Sequence, residues 1–149
     1  MTSTFATSIP KAQPVPTAIT EPYWKSAAEG ELWIQRCTEC QRCQHYPSGM
    51  CRSCWSENVD WIRAAGTGMV WTFTVVSRPG HPAWQPETPY VLALVELDEG
   101  PRMMTNIVDC DPSTVHVGQR VRLAPHTAEQ PPLQFQPISI RERQNGRTS

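Results

Sequence analysis

The sequence predicts a mainly β protein: a short N-terminal helix, a cysteine-clamped zinc ribbon and a C-terminal barrel of short strands. Three observations predict it. Six short runs rich in valine, isoleucine, threonine and aromatic residues follow residue 58, with turn residues between them and no helical periodicity. Fifteen prolines in 149 residues, about twice the usual share, argue against a helical bundle, because proline breaks helix interiors. Two C-x-x-C pairs stand ten residues apart at 37–54. A chain of this length holds one domain or two small modules sharing one core.

Residues 1–20 read as a disordered or extended arm, with Pro10, Pro14 and Pro16 among threonine, serine and alanine. The segment 21–36 reads as a helix and a lead-in strand. Thr20 is placed to cap, Glu21 and Pro22 suit a first turn, and Gly30 suits a stop, so a helix over 21–29 is expected. It is too short to hold in water alone, so Tyr23 and Trp24 must dock on something. Leu32–Arg36 is strand-like and leads into the ribbon, 37–58.

The domain from 59 to 140 carries the β-runs, at 59–64, 69–76, 90–97, 102–108, 119–124 and 134–140. Turns fall at Gly66-Thr67-Gly68 and Asp98-Glu99-Gly100-Pro101. Six such runs without helices predict a small barrel of antiparallel strands. The connection 77–89 is long and holds four prolines, with Trp84 as an apolar tip. It is expected to wander over the surface or to face a ligand or partner. A polar tail, 141–149, is expected to be flexible.

Cys37-Thr38-Glu39-Cys40 and Cys51-Arg52-Ser53-Cys54 carry the strongest chemical signal. Two intervening residues let each pair turn tightly and aim both sulfurs inward, so Cys37, Cys40, Cys51 and Cys54 can surround one ion tetrahedrally. Four protein ligands leave no open position, so the expected role is structural: zinc folds a module too small for its own core. Iron suits a four-thiolate site as well. Cys43 adds a C-x-x-C-x-x-C reading, yet the cluster motif that begins so needs a cysteine where Pro47 stands. Cys43 could replace Cys40 as a ligand, but the paired knuckles favour Cys40.

A catalytic constellation is not legible, so the expected catalytic set is none. His45, His81, His116 and His126 have no metal or base spacing, and no phosphate loop or serine elbow occurs. Glu96, Asp98 and Glu99 read as a solvated turn. Cys110, between Asp109 and Asp111, reads as a structural thiol, because flanking carboxylates oppose thiolate formation. Net charge is −1, and the barrel segment 66–124 holds four arginines against six acids. That argues against nucleic acid, which needs clustered cations. The sequence shows no membrane-length apolar run and no secretory signal pattern, so a cytoplasmic place with reduced thiols is expected.

The order of motifs resembles a known family, the thiolase-associated zinc-ribbon/OB-fold proteins, long called domain of unknown function 35. The resemblance runs from about Tyr23 to Pro137. It rests on Tyr23-Trp24, Gly30-Glu31-Leu32, Gln35-Arg36-Cys37-x-x-Cys40, Tyr46-Pro47, Cys51-x-x-Cys54, Gly66-x-Gly68 and Trp71–Val76. It continues through Pro89-Tyr90-Val91, Val95-Glu96-Leu97, Asn106–Pro112 and Gly118. It implies an N-terminal helical arm, a rubredoxin-like zinc ribbon, an OB-fold barrel, and metal-ligand roles for Cys37, Cys40, Cys51 and Cys54. It also implies a non-catalytic accessory subunit of a thiolase-like or lipid-transfer-type aldolase complex acting on acyl-CoA thioesters. The small subunit would stabilise its partner and help form the CoA or acyl channel, in breakdown of an aromatic acid, fatty acid or steroid side chain. Which of its residues would touch CoA is not implied. The family often has glycine after the second cysteine, where this chain has Gln41. The rival expectation is a single-stranded nucleic-acid-binding ribbon and barrel.

Overall fold

A computed structural model of the chain describes residues 9–126 and 132–139. The strand expected at 134–140 therefore lies inside it except for residue 140, and the tail 141–149 lies outside it. From Ile9 to Pro16 the arm has no regular structure, but it is fastened. Lys11 forms an ion pair with Glu87, and its ammonium sits 4.4 Å from the centroid of the Trp84 ring.

The helix α1 spans Glu21–Ala28. Thr20 does not cap it with its side chain. Its hydroxyl accepts instead from the Thr17 N–H at 2.9 Å, while the Glu21 N–H reaches the Thr17 carbonyl at 2.8 Å. A turn over 17–20 thus feeds the helix. Gly30 ends it as expected, at φ +79°, a conformation glycine adopts without steric cost. Tyr23 is buried, meets Trp24 edge-on at 5.0 Å and lies 5.3 Å from His45 of the ribbon. The short helix is held by that docking.

Three antiparallel strands form the first sheet: β1 (Trp33–Cys37), β2 (Cys43–Gln44) and β3 (Val59–Arg63), in the order β2-β1-β3. The run at 59–64, expected in the barrel, pairs here instead. Its register sets Cys37 against Val59 and Trp33 against Arg63. The two strands flanking the cysteine loop close on one another, and the Ala64 N–H extends the ladder to the Leu32 carbonyl at 2.8 Å.

Five strands then form a closed barrel: β4 (Thr67–Val76), β5 (Tyr90–Leu97), β6 (Arg102–Ile107), β7 (Arg120–Leu123) and β8 (Phe135–Pro137). Their order is β4-β5-β6-β8-β7, and β7 returns to β4. The expectation of purely antiparallel pairing fails at one seam, where β6 and β8 run parallel, Ile107 beside Phe135. An odd number of strands cannot alternate direction all the way around a ring, so one pair must be parallel. The connection 77–89 also differs from expectation, since Pro82–Glu87 forms a 3-10 helix. His81 caps it, its Nδ1 accepting from the Ala83 N–H at 3.2 Å. Trp84 is half-buried, with its ring 5.7 Å from Tyr90.

β5 alternates in strict period two, with Val91, Ala93, Val95 and Leu97 buried. These join Val70, Met103, Val121 and Phe135 in a core that continues without a break to Leu32, Ile34, Tyr23 and Ala27. Helix, ribbon and barrel therefore share one interior.

Candidate metal centre

Cys37 ends β1, Cys40 lies on the turn that follows, and Cys51 and Cys54 lie on a second turn. The two turns repeat the same bonds. Gln41 N–H reaches the Cys37 carbonyl at 3.0 Å, and Trp55 N–H reaches the Cys51 carbonyl at 2.9 Å. One residue further, Cys37 N–H bonds to the Arg42 carbonyl at 2.9 Å and Cys51 N–H to the Ser56 carbonyl at 2.8 Å. Each turn ends on a left-handed residue, Gln41 at φ 65° and Trp55 at φ 67°. This is the conformation for which glycine would be the easy choice. It explains why a glycine often follows the second cysteine in the family, and Gln41 adopts the same shape without one.

The four sulfurs lie within 4.8 Å of one another. Cys37 and Cys54 Sγ are 3.5 Å apart, and Cys40 and Cys51 Sγ are 3.6 Å apart. A tetrahedral ion with sulfur ligands at about 2.3 Å requires edges of about 3.8 Å. The sulfur set fits such an ion closely. Backbone N–H groups also point at the sulfurs: Cys40 to Cys37 Sγ at 3.5 Å and Ser53 to Cys51 Sγ at 3.3 Å. Donors of this kind favour thiolates. The backbone N–H of Cys54, then that of Ser53, pulls the Cys51 thiol down to about 6, and the Cys40 N–H lowers Cys37. Cys54 is pushed up to about 12: the Ser56 N–H pulls it down, but the neighbouring Cys37, Cys40 and Cys51 sulfurs and desolvation outweigh that. Crowding thus keeps a proton on Cys54, and a cation bound between the sulfurs would relieve the repulsion and release that proton.

Two glutamines hold the second turn in place, Gln35 from the motif that leads into the first knuckle and Gln44, which no sequence motif marks. Gln35, buried on β1, donates to the Ser48 carbonyl and accepts from the Ser48 N–H, at 2.9 and 2.8 Å. Gln44 on β2 donates to Gln35 Oε1 at 2.8 Å and accepts from the Arg52 N–H at 3.0 Å. These amides stand in for strand pairing across the loop 45–50. In the sequence they are only two polar residues on short strand-like runs, which is not a specific signal.

The remaining candidates separate. Cys43 stands outside the sulfur cluster and packs against the core; burial raises its thiol. Cys110 is half-buried, and burial first, then the charges of Asp109 and Asp111, raise its thiol as well. Asp98 accepts from Thr67 and binds Arg120 with Nη1–Oδ1 at 2.9 Å, and that guanidinium holds its carboxyl below the ordinary range. Glu96 takes Arg102 at 3.1 Å, and Glu99 accepts from the Ala65 N–H at 2.9 Å. A cleft of about 620 Å³ opens at one end of the barrel, between Tyr90 and Val91 of β5, Asn106 and Ile107 of β6, and Cys110. Among the described residues its lining includes Glu87, paired with Lys11, and Asp109, and no lysine or arginine.

Fold and site together define a metal-ribbon and barrel scaffold. Its two halves match two family descriptions: "ChsH2, rubredoxin-like zinc ribbon domain" over 24–60 and "ChsH2, C-terminal OB-fold domain" over 61–125. The chain belongs to this family, also known as DUF35. It is 31% identical over 90 residues to a "DUF35 domain-containing scaffold protein" of Methanothermobacter thermautotrophicus, covering 58% of this chain and 67% of that one. It is 43% identical over 101 residues to a "Probable enoyl-CoA hydratase alpha subunit" of Thermomonospora curvata. That match covers 68% of this chain but only 31% of the relative, so the chain spans about a third of that longer protein. Among solved structures it resembles a chain of the "Ltp2-ChsH2(DUF35) aldolase", at 38% identity and a TM-score of 0.73, covering 84% of this chain and 98% of that one. The zinc-ribbon and OB-fold expectations are borne out. No helix among the described residues is long and apolar enough to cross a membrane.

Proposed function

We propose that this chain is a non-catalytic accessory subunit of a thiolase-like or aldolase enzyme that acts on acyl-CoA thioesters, with zinc held by Cys37, Cys40, Cys51 and Cys54. One observation carries the reading: the chain spans nearly all of a component of a two-protein aldolase, at 38% identity. The closed sulfur set supports it, because four protein ligands leave a metal no position at which to activate water. Zinc here would supply folding free energy to the ribbon and, through the shared core, a rigid base for the barrel. The cleft beside Tyr90 is lined by Tyr90, Val91, Ile107 and Asn106 together with Glu87 and Asp109, a lining suited to the uncharged pantetheine or acyl part more than to the phosphates of CoA. Nucleic acid is disfavoured on the same charge argument: Arg102 and Arg120 are committed to Glu96 and Asp98.

Co-expression with a thiolase-like or aldolase subunit from the same organism tests this. The expected result is one hetero-oligomer on gel filtration, about one zinc per chain by metal analysis, and acyl-CoA activity that needs both proteins. Two separate peaks, with full activity in the larger protein alone, would refute it. In the same preparation Cys51→Ala should unfold the ribbon and abolish the complex, and an unchanged melting curve would contradict a structural metal.

A further inference from the structure

β4 is ten residues long, but β7 pairs with it only from Thr67 to Met69. Val70 still reaches Gln119 and Gly118, at 2.9 and 2.8 Å, through its own N–H and carbonyl. From Trp71 to Val76 the edge of β4 facing away from β5 has no backbone partner among the described residues. This stretch reads Trp-Thr-Phe-Thr-Val-Val, without a charge or a proline. Trp71, Thr72, Thr74 and Val75 are exposed, Trp71 at 44% and Val75 at 40%, while Phe73 and Val76 are half-buried and Phe73 packs on the core; β5 beside it buries every second residue. Open edges of this composition pair with other chains, and proteins normally blunt them with lysine, proline or a covering element. Here Arg78 and Pro79 come only after the strand has ended.

The edge continues into an apolar face. Thr72 stands opposite Leu94, and Leu94 opposite Met104, so the three share the outer side of the barrel. Met104 is 53% exposed. At the rim, the Arg102 guanidinium lies 3.8 Å from the centroid of the Trp71 ring and binds Glu96, which leaves the face neutral. An apolar, uncharged centre with a polar rim is the anatomy of a protein interface. The free N–H and carbonyl groups call for an extended strand, since a helix has none to offer along its side. A second copy paired edge to edge would cover β4 and leave Leu94 and Met104 in water. The surface fits an occupant that covers both.

We propose that the edge Trp71–Val76, with the face formed by Leu94 and Met104, is where the acyl-CoA enzyme subunit docks, by adding an extended strand of its own to the barrel sheet. This rests on the proposed function and adds the surface and the mode of binding. The test uses the co-expressed complex and the chain alone. Hydrogen–deuterium exchange of the peptide spanning 71–76 should slow about tenfold or more in the complex. Val75→Lys and Met104→Lys should each weaken assembly about tenfold or more, with zinc content and melting temperature unchanged. Unprotected amides at 71–76, or wild-type affinity in both lysine variants, would overturn the docking surface while leaving the accessory role standing. An isolated dimer that Val75→Lys turns into a monomer, with unchanged affinity for the enzyme subunit, would assign the edge to a second copy and also overturn it. A wild-type chain that forms no complex removes both readings.

Discussion

Trp55 is the residue whose surroundings least explain its identity. It is 76% exposed and sits at φ 67°, where a side chain with a β-carbon is strained. Gln41, at the matching position of the first turn, has the same backbone but gains a bond, its Nε2 donating to the Thr38 carbonyl at 2.7 Å. Relief of left-handed strain is worth about 1–2 kcal/mol, and the extra freedom of glycine in the unfolded chain takes back part of it. Trp55→Gly is therefore expected to raise the unfolding free energy by about 0.5 kcal/mol, measured by urea denaturation in excess zinc. Gln41→Gly should gain less, because it loses the Thr38 bond. A clear loss in Trp55→Gly would mean that the indole packs on the protein after all.

At the scale of elements, the barrel closes where β4 lies between β5 and β7, and Gly68 sits at that seam. A Cβ there would meet the Glu96 carbonyl oxygen at 2.4 Å and Val95 Cγ1 at 2.8 Å. The obstacle is backbone of the neighbouring strand and cannot swing aside. Gly68→Ala is expected to cost about 2–3 kcal/mol, read as a lower denaturation midpoint. The sequence reads Gly66-Thr67-Gly68 as a turn, but only Gly66 bends, and Thr67 and Gly68 already belong to β4. The crowding at Gly68 was not legible either, because it depends on which strand lies alongside. The same holds for β3. Its residues announce a strand, yet only the closing of the cysteine loop brings Val59 beside Cys37 and assigns the strand to the ribbon.

The whole molecule depends on contacts between modules, and His45 is one of them. It is buried between Tyr23 of the helix and Tyr46, and its Nδ1 has no hydrogen-bond partner among the described residues. Burial, with a smaller contribution from the charge of Arg52, pushes it down from 6.5 to about 4. The folded protein keeps this imidazole neutral, whereas the unfolded chain takes up a proton below pH 6.5. The stability it contributes is thus complete above pH 6.5 and is lost progressively as the pH falls toward 4. Between pH 7 and pH 5 the loss is about 2 kcal/mol. Urea midpoints in excess zinc should fall over that range in the wild type, and fall less in His45→Phe by about that amount. Competition of protons for the thiolates affects both proteins alike, so the difference isolates the histidine. Equal slopes would place the titrating group elsewhere.

The sequence by itself determined the chemistry that is local along the chain. The spacing of Cys37, Cys40, Cys51 and Cys54 sets up two like turns, Gly30 ends a helix, and the run of apolar and β-branched residues at Tyr90–Leu97 marks a strand. These follow from bonds and periods spanning a few residues, and the resemblance to a ribbon-and-barrel family rests on the same signals. The tertiary structure alone decided what depends on neighbours distant in sequence. It decided that an odd ring of strands contains a parallel pair, that Gln35 and Gln44 tie the second turn, and that Trp84 rests against Tyr90 and Lys11. It also decided that β4 outruns β7 and leaves one edge of Trp71–Val76 unpaired among the described residues, because the length of a partner strand is not written in the strand it pairs with.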